Sequence, residues 1–192
     1  MKLRLAFLIP VALAACSPAK QAEHPPLEGA RIGGPFTLTD QNGRPASDRD
    51  FAGKYRIMYF GYTFCPDVCP LDMQNIGAAL KIVEKEQPAV GARVVPVFVT
   101  IDPARDNPAV LRQFVAAFHP RMIGLTGTPD EIAKVAKEYA IYYARGKGSA
   151  GGYLMDHSRA AYLMAPDGKP IALLSQEGPP RKIADEIERW AK

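Results

Sequence analysis

The sequence predicts an α/β domain, a mixed β-sheet with helices on both faces and an N-terminal β-hairpin. Three observations carry that expectation. Ile57-Met58-Tyr59-Phe60 is a short continuous apolar run, and Val94 to Ile101 is rich in β-branched residues, as buried strands are. Segments with helical spacing and helix-start residues alternate with them. Arg159 to Ala165 and Ile171 to Leu174 flank Asp167-Gly168, a strong hairpin signal. Strands alternating with helices, then a hairpin and a final helix, argue a mixed sheet.

The elements follow in order. Phe36 to Thr39 alternates like a strand, and Asn42-Gly43 turns it into a hairpin. Ile57 to Phe60 is the next strand. Pro70 suits a first helical position, with Leu71, Ile76, Leu80 and Val83 following at roughly helical spacing. Val94 to Ile101 is a second buried strand, Pro108 to Phe118 a helix and Met122 to Leu125 a strand. Thr128-Pro129-Asp130-Glu131 is a capping box, and Ile132, Val135, Ala136 and Tyr139 line one side of its helix. Ile141 to Ala144 reads as a short strand, followed by the glycine-rich, flexible stretch Gly146 to Gly152. The last helix shows Ile183, Ile187 and Trp190 at i, i+4, i+7.

The two ends of the chain differ in kind. Lys2 and Arg4 form a basic start, and Leu5 to Leu13 an apolar run too short to span a bilayer as a helix. Leu13-Ala14-Ala15-Cys16 resembles the lipobox of bacterial lipoproteins, which implies cleavage before Cys16 and lipid attachment to it. The expected division is a lipoprotein signal at 1–15, a flexible, proline-bearing membrane tether at 16–30 and one domain at 31–192. Such a protein is exported, lipid-anchored to a bacterial membrane and faces the periplasm or the cell exterior. Lipidation also accounts for the odd one of three cysteines, and export leaves the other two where disulfides persist. Without Lys2 and Arg4, 22 Lys+Arg face 20 Asp+Glu, a net charge of +2 with no basic stripe, which excludes a nucleic-acid partner. About 160 residues suffice for one core without disulfide staples.

The chemistry gathers at Gly61-Tyr62-Thr63-Phe64-Cys65-Pro66-Asp67-Val68-Cys69-Pro70, where a strand ends and a helix begins. Two thiols this close form a reversible disulfide or offer two soft ligands to one metal ion. A purely structural disulfide would add roughly 2 kcal/mol, which a domain of this size hardly needs. With Pro70 in the first helical turn, Cys69 is expected at or near the cap, where backbone N–H groups lower a thiol pKa. A strand leading into such a pair resembles the thioredoxin fold. Three residues separate the cysteines rather than two, and the wider loop favours two thiolates on one ion. Copper(I) suits two thiolates and one imidazole, whereas zinc usually wants a fourth protein ligand.

Three segments, in order, are similar to the Sco/SenC proteins, copper-binding assembly factors for cytochrome c oxidase. They are Phe60 to Pro70, then Phe98-Val99-Thr100-Ile101-Asp102-Pro103-Ala104-Arg105-Asp106, then Asp156-His157-Ser158. The resemblance covers roughly Arg31 to Lys192. It implies copper, as Cu(I), Cu(II) or both, on Cys65, Cys69 and His157, with Cys65 and Cys69 also forming the redox disulfide. It implies the copper-site subunit of the oxidase as partner, alongside other exported copper carriers and the membrane through the lipid anchor. The chain would then be a metal carrier rather than an enzyme.

The alternative is a thiol–disulfide oxidoreductase acting on exported cysteine proteins. Such enzymes carry a cis-proline beside the cysteines, and Met155-Asp156-His157-Ser158-Arg159-Ala160 has no proline. A thiol peroxidase would need a Thr-x-x-Cys setting, and Thr63-Phe64-Cys65 lacks that spacing. His119 and His24 read as ordinary surface or core histidines, Asp156 as a turn residue or a group supporting His157, and Met155 as packing. Asp102 and Arg105 read as an ion pair within their turn, without chemistry of their own.

Overall fold

The computed structural model describes residues 23–148 and 152–192. The expected signal, the lipobox with Cys16 and residues 149–151 of the glycine-rich stretch lie outside them.

The strands are β1 (Thr37–Asp40), β2 (Pro45–Ser47), β3 (Tyr55–Gly61), β4 (Val94–Thr100), β5 (Ile123–Thr126), β6 (Tyr143–Arg145), β7 (Met155–His157), β8 (Ala161–Met164) and β9 (Pro170–Leu173). The helices are α1 (Val68–Glu86), the short α2 (Pro88–Gly91), α3 (Pro108–Ala116), α4 (Pro129–Glu138) and α5 (Pro180–Trp190). Among the described residues one sheet runs β2-β1-β5-β4-β3-β8-β9, and β6 and β7 form a separate pair. β3, β4 and β5 run parallel, while β8, β9 and the β1–β2 hairpin join antiparallel, so the sheet is mixed as expected.

Successive residues of β3 point to opposite faces, and both faces are covered. Tyr59 stacks on Phe98, which meets Phe114 of α3 at 4.9 Å between ring centroids. Tyr59 also bonds α1, and α5 packs beside α1. Phe60 points the other way, 5.1 Å from Tyr139 at the end of α4. Helices on both faces explain why every residue of β3 and β4 is buried and why each is mostly apolar, Arg56 and Thr100 being the buried polar exceptions.

The hairpin turns hold their glycines where expected: Gly43 has φ 76° and Gly168 φ 87°, a region costly for other residues. Thr128 and Glu131 cap α4 reciprocally, Glu131 Oε2 accepting from Thr128 N at 2.8 Å and Thr128 Oγ1 from Glu131 N at 3.3 Å.

Four expectations need correction. The first long helix begins at Val68 after an Asp67 cap, so Cys69 lies inside the first turn and Pro70 behind it. Its buried face is Cys69, Asp72, Met73, Ile76, Leu80 and Val83, while Leu71 is exposed. The strand placed at Ile141 to Ala144 starts instead at Tyr143. Ala140 takes a left-handed turn (φ 53°) and Ile141 still bonds back to Ala136, so extended pairing begins only where β7 is available. Finally, the described part of the expected tether lies against the domain. Leu27 donates to the Ile171 carbonyl at 3.0 Å and packs on the core, and Glu23 pairs with Arg189. Among the described residues no helix is long and apolar enough to cross a membrane.

Candidate metal centre

The cysteine loop leaves the C-terminal end of β3, beside the end of parallel β4, where open α/β sheets place their sites. Asp106 fixes its start. This buried carboxylate accepts from Thr63 N at 3.0 Å, Thr63 Oγ1 at 2.5 Å and Thr100 Oγ1 at 2.6 Å, and burial raises its pKa despite those donors. The chain then turns, with Cys65 N donating to the Tyr62 carbonyl at 3.3 Å, and enters α1. Cys69 is fully buried and Cys65 half-buried, and both thiols are free.

β8 runs antiparallel to β3 and pairs Ala161 with Tyr59, so the chain just before β8 arrives at the same end of the sheet. That chain is β7, which pairs with β6 through Tyr143 and His157. His157 Nε2 consequently stands 3.4 Å from Cys69 Sγ. Its Nδ1 lies 3.0 Å from the Ser158 carbonyl, which can only accept, so in the neutral ring Nδ1 carries the proton and Nε2 keeps a lone pair toward the sulfur. Burial lowers the imidazole pKa and favours that neutral form. The ring edge of Tyr62 fixes the imidazole from the side, at 5.9 Å between centroids.

The sequence expectation for Cys69 is wrong in sign. Burial pushes its thiol up to about 12, and the nearby Cys65 thiol adds to the shift. The Tyr62 backbone and the Tyr59 hydroxyl act in the opposite sense, but Cys69 sits beneath β3 rather than at an exposed cap, and desolvation wins. The close packing is visible at Gly61, where a Cβ would come within 3.0 Å of Cys69 Sγ and 2.8 Å of the Tyr59 ring.

Behind Cys69 lies a buried polar network that the sequence reading missed. Asp72 is completely buried and accepts from Tyr59 Oη at 2.8 Å and from Arg159 Nε and Nη2 at 2.8 and 2.5 Å. Burial first, then the closeness of Cys69 and of the Asp72 carboxylate, keeps the Tyr59 hydroxyl protonated, and Asp72 holds Arg159 charged. The signal available was an aspartate on the apolar face of α1, three residues after Cys69.

Cys65, His157, Tyr62, Asp67, Leu154 and Arg159 line one cleft of about 550 Å³. The structure thus brings Cys69 and His157 together and sets Cys65 on the same cleft. Among the described residues no three His, Cys, Asp or Glu side chains stand gathered at metal-holding distance. The donors nevertheless suit a soft ion accepting few ligands: two sulfurs and one imidazole nitrogen. Asp156 is exposed on β7, and Met155 packs against the core. His119 is buried away from the cleft, with Glu84 at 3.4 Å and Arg121 N donating to its Nδ1, and exposed His24 pairs with Glu28.

A family model described as SCO1/SenC matches residues 24–192. A mitochondrial SCO1 homolog of Arabidopsis thaliana is 41% identical over 145 residues, 76% of this chain and 42% of that protein. Protein SenC of Rhodobacter capsulatus is 40% identical over 158 residues, 82% of this chain and 70% of that protein. The chain therefore spans less than half the length of the plant relative. The crystal structure of Arabidopsis thaliana ScoI with copper bound superposes with a TM-score of 0.78 at 37% identity, over 82% of this chain and 96% of that one. A thioredoxin domain of a Bacteroides vulgatus thiol-disulfide oxidoreductase, 17% identical with a TM-score of 0.59, shares the fold alone. The α/β architecture is thioredoxin-like.

Proposed function

This chain belongs to the SCO1/SenC family, and we propose that it carries copper on Cys65, Cys69 and His157 to assist assembly of the binuclear copper site of cytochrome c oxidase. The observation that carries the reading is the 3.4 Å approach of His157 Nε2 to Cys69 Sγ, with the proton held on the far nitrogen. An imidazole lone pair turned toward a buried sulfur gives a soft ion two of the donors it prefers, and Cys65 on the same cleft offers a third.

The ion is cargo, and this chain's residues supply its seat. Cys69 and Cys65 give thiolate sulfur once their protons leave, so loading releases protons. His157 gives nitrogen without a proton cost, because burial favours the neutral ring and the Ser158 carbonyl keeps its one proton on Nδ1. Asp72, Arg159 and Tyr59 wall the inner side and fix the start of α1. The half-buried Cys65 and the open cleft leave one side from which a partner's ligands could reach the ion. The two cysteines can also close into a disulfide, and that state has no thiolates for copper, so redox state gates loading. In the cell we propose that lipidated Cys16 holds the domain at a bacterial membrane, facing the periplasm or exterior, where the copper-site subunit of the oxidase is its partner.

Anaerobic titration of the reduced protein with copper(I) against a chelator tests this. One tightly held ion per chain is expected, lost in Cys65→Ser and Cys69→Ser and after oxidation of the apo protein, and regained on reduction. Equal affinity in oxidised and reduced protein would remove the cysteines from the site. The second reading, reduction of disulfides in exported proteins, draws on the two free thiols at a helix start. It gains if the reduced protein turns over a cysteine substrate without binding copper.

A further inference from the structure

One guanidinium touches both segments that carry the proposed ligands. Arg105 lies in the turn after β4, its side chain 21% exposed and its Nε donating to Asp102 Oδ2 at 2.5 Å. Its Nη1 donates to the Tyr153 carbonyl at 2.8 Å, and its Cζ lies 3.7 Å from the centroid of the Tyr153 ring. Tyr153 Oη in turn donates to Asp102 Oδ1 at 2.8 Å, which closes a ring of three residues. The same guanidinium faces Phe64, next to Cys65, at 4.9 Å, and Tyr62, which abuts His157, at 5.7 Å. Asp102 is rooted in the sheet, its N–H donating to Thr100 Oγ1 at 2.9 Å. Arg145 of β6 also lies over the Tyr153 ring, its Cζ 3.7 Å from the centroid.

Among the described residues the β6–β7 pair has three residues per strand and no ladder to the main sheet. A two-stranded hairpin is marginal by itself, so its seat depends on side chains outside it. Charge-assisted hydrogen bonds and a shielded cation–π contact are the stronger kinds of polar tie, and Arg105 makes both to the residue two before β7.

We propose that Arg105 is a positioning residue, a latch that holds the β6–β7 hairpin on the cysteine loop and thereby sets His157 against Cys69. The latch rests on the copper reading of the cleft for its purpose, but not for its mechanics. With it open, Cys65 and Cys69 stay where β3 and α1 hold them, and the hairpin takes His157 away.

Backbone hydrogen exchange of the apo protein tests the mechanics, and the copper(II) spectrum tests the purpose. In Arg105→Ala, amides of 143–148 and 152–157 should exchange about tenfold faster, with β3 and β4 unchanged. Copper stoichiometry should be retained while the nitrogen signature of His157 weakens. Arg105→Lys should restore part of both effects, since it keeps the charge without the planar fork. Tyr153→Phe, which removes only the bond to Asp102, should fall between. Wild-type exchange and spectrum in Arg105→Ala would overturn the latch and leave the copper reading intact. A wild-type protein without copper affinity would sink the copper reading, and the exchange data alone would then decide whether Arg105 seats the hairpin. Should Arg105→Ala lose protection in β3 and β4 as well, Arg105→Lys and Tyr153→Phe decide: wild-type hairpin exchange in both overturns the latch.

Discussion

Cys69 Sγ and His157 Nε2 stand 3.4 Å apart although 88 positions separate them in the chain. The antiparallel pairing of β8 with β3 returns the chain to the cysteine end of the sheet, and His157 is held there by Ser158 and Tyr62. Two unrelated segments thus converge on one point.

Removal of this imidazole should weaken copper binding by more than the roughly 10–100-fold that loss of a mere orienting partner costs a metal site. His157→Ala should also change the copper(II) absorption and hyperfine pattern. His119→Ala, which opens the Glu84–Arg121 cluster far from the cleft, should lower stability and keep wild-type stoichiometry. Copper titration of the two variants side by side checks this, and wild-type behaviour of His157→Ala in both oxidation states would leave a two-thiol redox site.

The Asp72–Arg159 pair should matter for folding more than any surface ion pair here. Asp72 is fully buried, and Arg159 supplies two of its donors. Arg159→Met would leave a carboxylate buried with only the Tyr59 hydroxyl, at a cost of about 2–4 kcal/mol. Denaturant unfolding should show it as a lowered midpoint at unchanged slope. Truncation of Arg181, which pairs with Glu86, Asp185 and Glu188 near the surface, should move the midpoint far less, because solvent screens those pairs.

Alkaline pH should destabilise the apo protein through Cys69. Burial raises its folded-state pKa from 9.0 to about 12. Folding therefore favours the protonated thiol: its contribution is complete below the unfolded value and is lost as pH rises toward about 12. Between about pH 8 and pH 11 the wild type should lose roughly 1–3 kcal/mol more than Cys69→Ala. Tyr139, which burial also raises to about 12, acts in the same direction in both proteins and cancels in the difference. Denaturation midpoints across that range check the sign, and apparent copper(I) affinity should climb with pH over the same window.

Much of this was legible in the sequence, for identifiable reasons. β3 and β4 are buried on both faces, so their apolar runs could mean little else, and the Thr128–Glu131 box is a local pattern with local geometry. The cysteine pair was visible by spacing, His157 only by resemblance to a family motif. What escaped was non-local. β7 has no alternation of its own and is a strand because β6 lies opposite. Asp72 finds Arg159 across 87 positions, so nothing near either residue announces the pair. The Cys69 thiol was misjudged because a helix start is a local feature, whereas its burial under β3 belongs to the fold.

The N-terminal segment separates anchoring from folding. Cys16→Ser should move the protein from the membrane fraction to the soluble one if the proposed lipid is the anchor. A form starting at Arg31 should be less stable than one starting at Glu23 by about 1–2 kcal/mol, since it loses the Leu27 packing and its bond to Ile171. Fractionation and thermal unfolding check the two halves independently.

The central claim is that one copper ion is held by Cys65, Cys69 and His157. X-ray absorption at the copper edge of the reduced, copper(I)-loaded protein reads that ligand set directly. A shell of two sulfur scatterers and one imidazole nitrogen is expected, with the nitrogen gone in His157→Ala and no tightly held copper left to read in Cys65→Ser or Cys69→Ser. A shell without sulfur, or one that His157→Ala leaves unchanged, would contradict it.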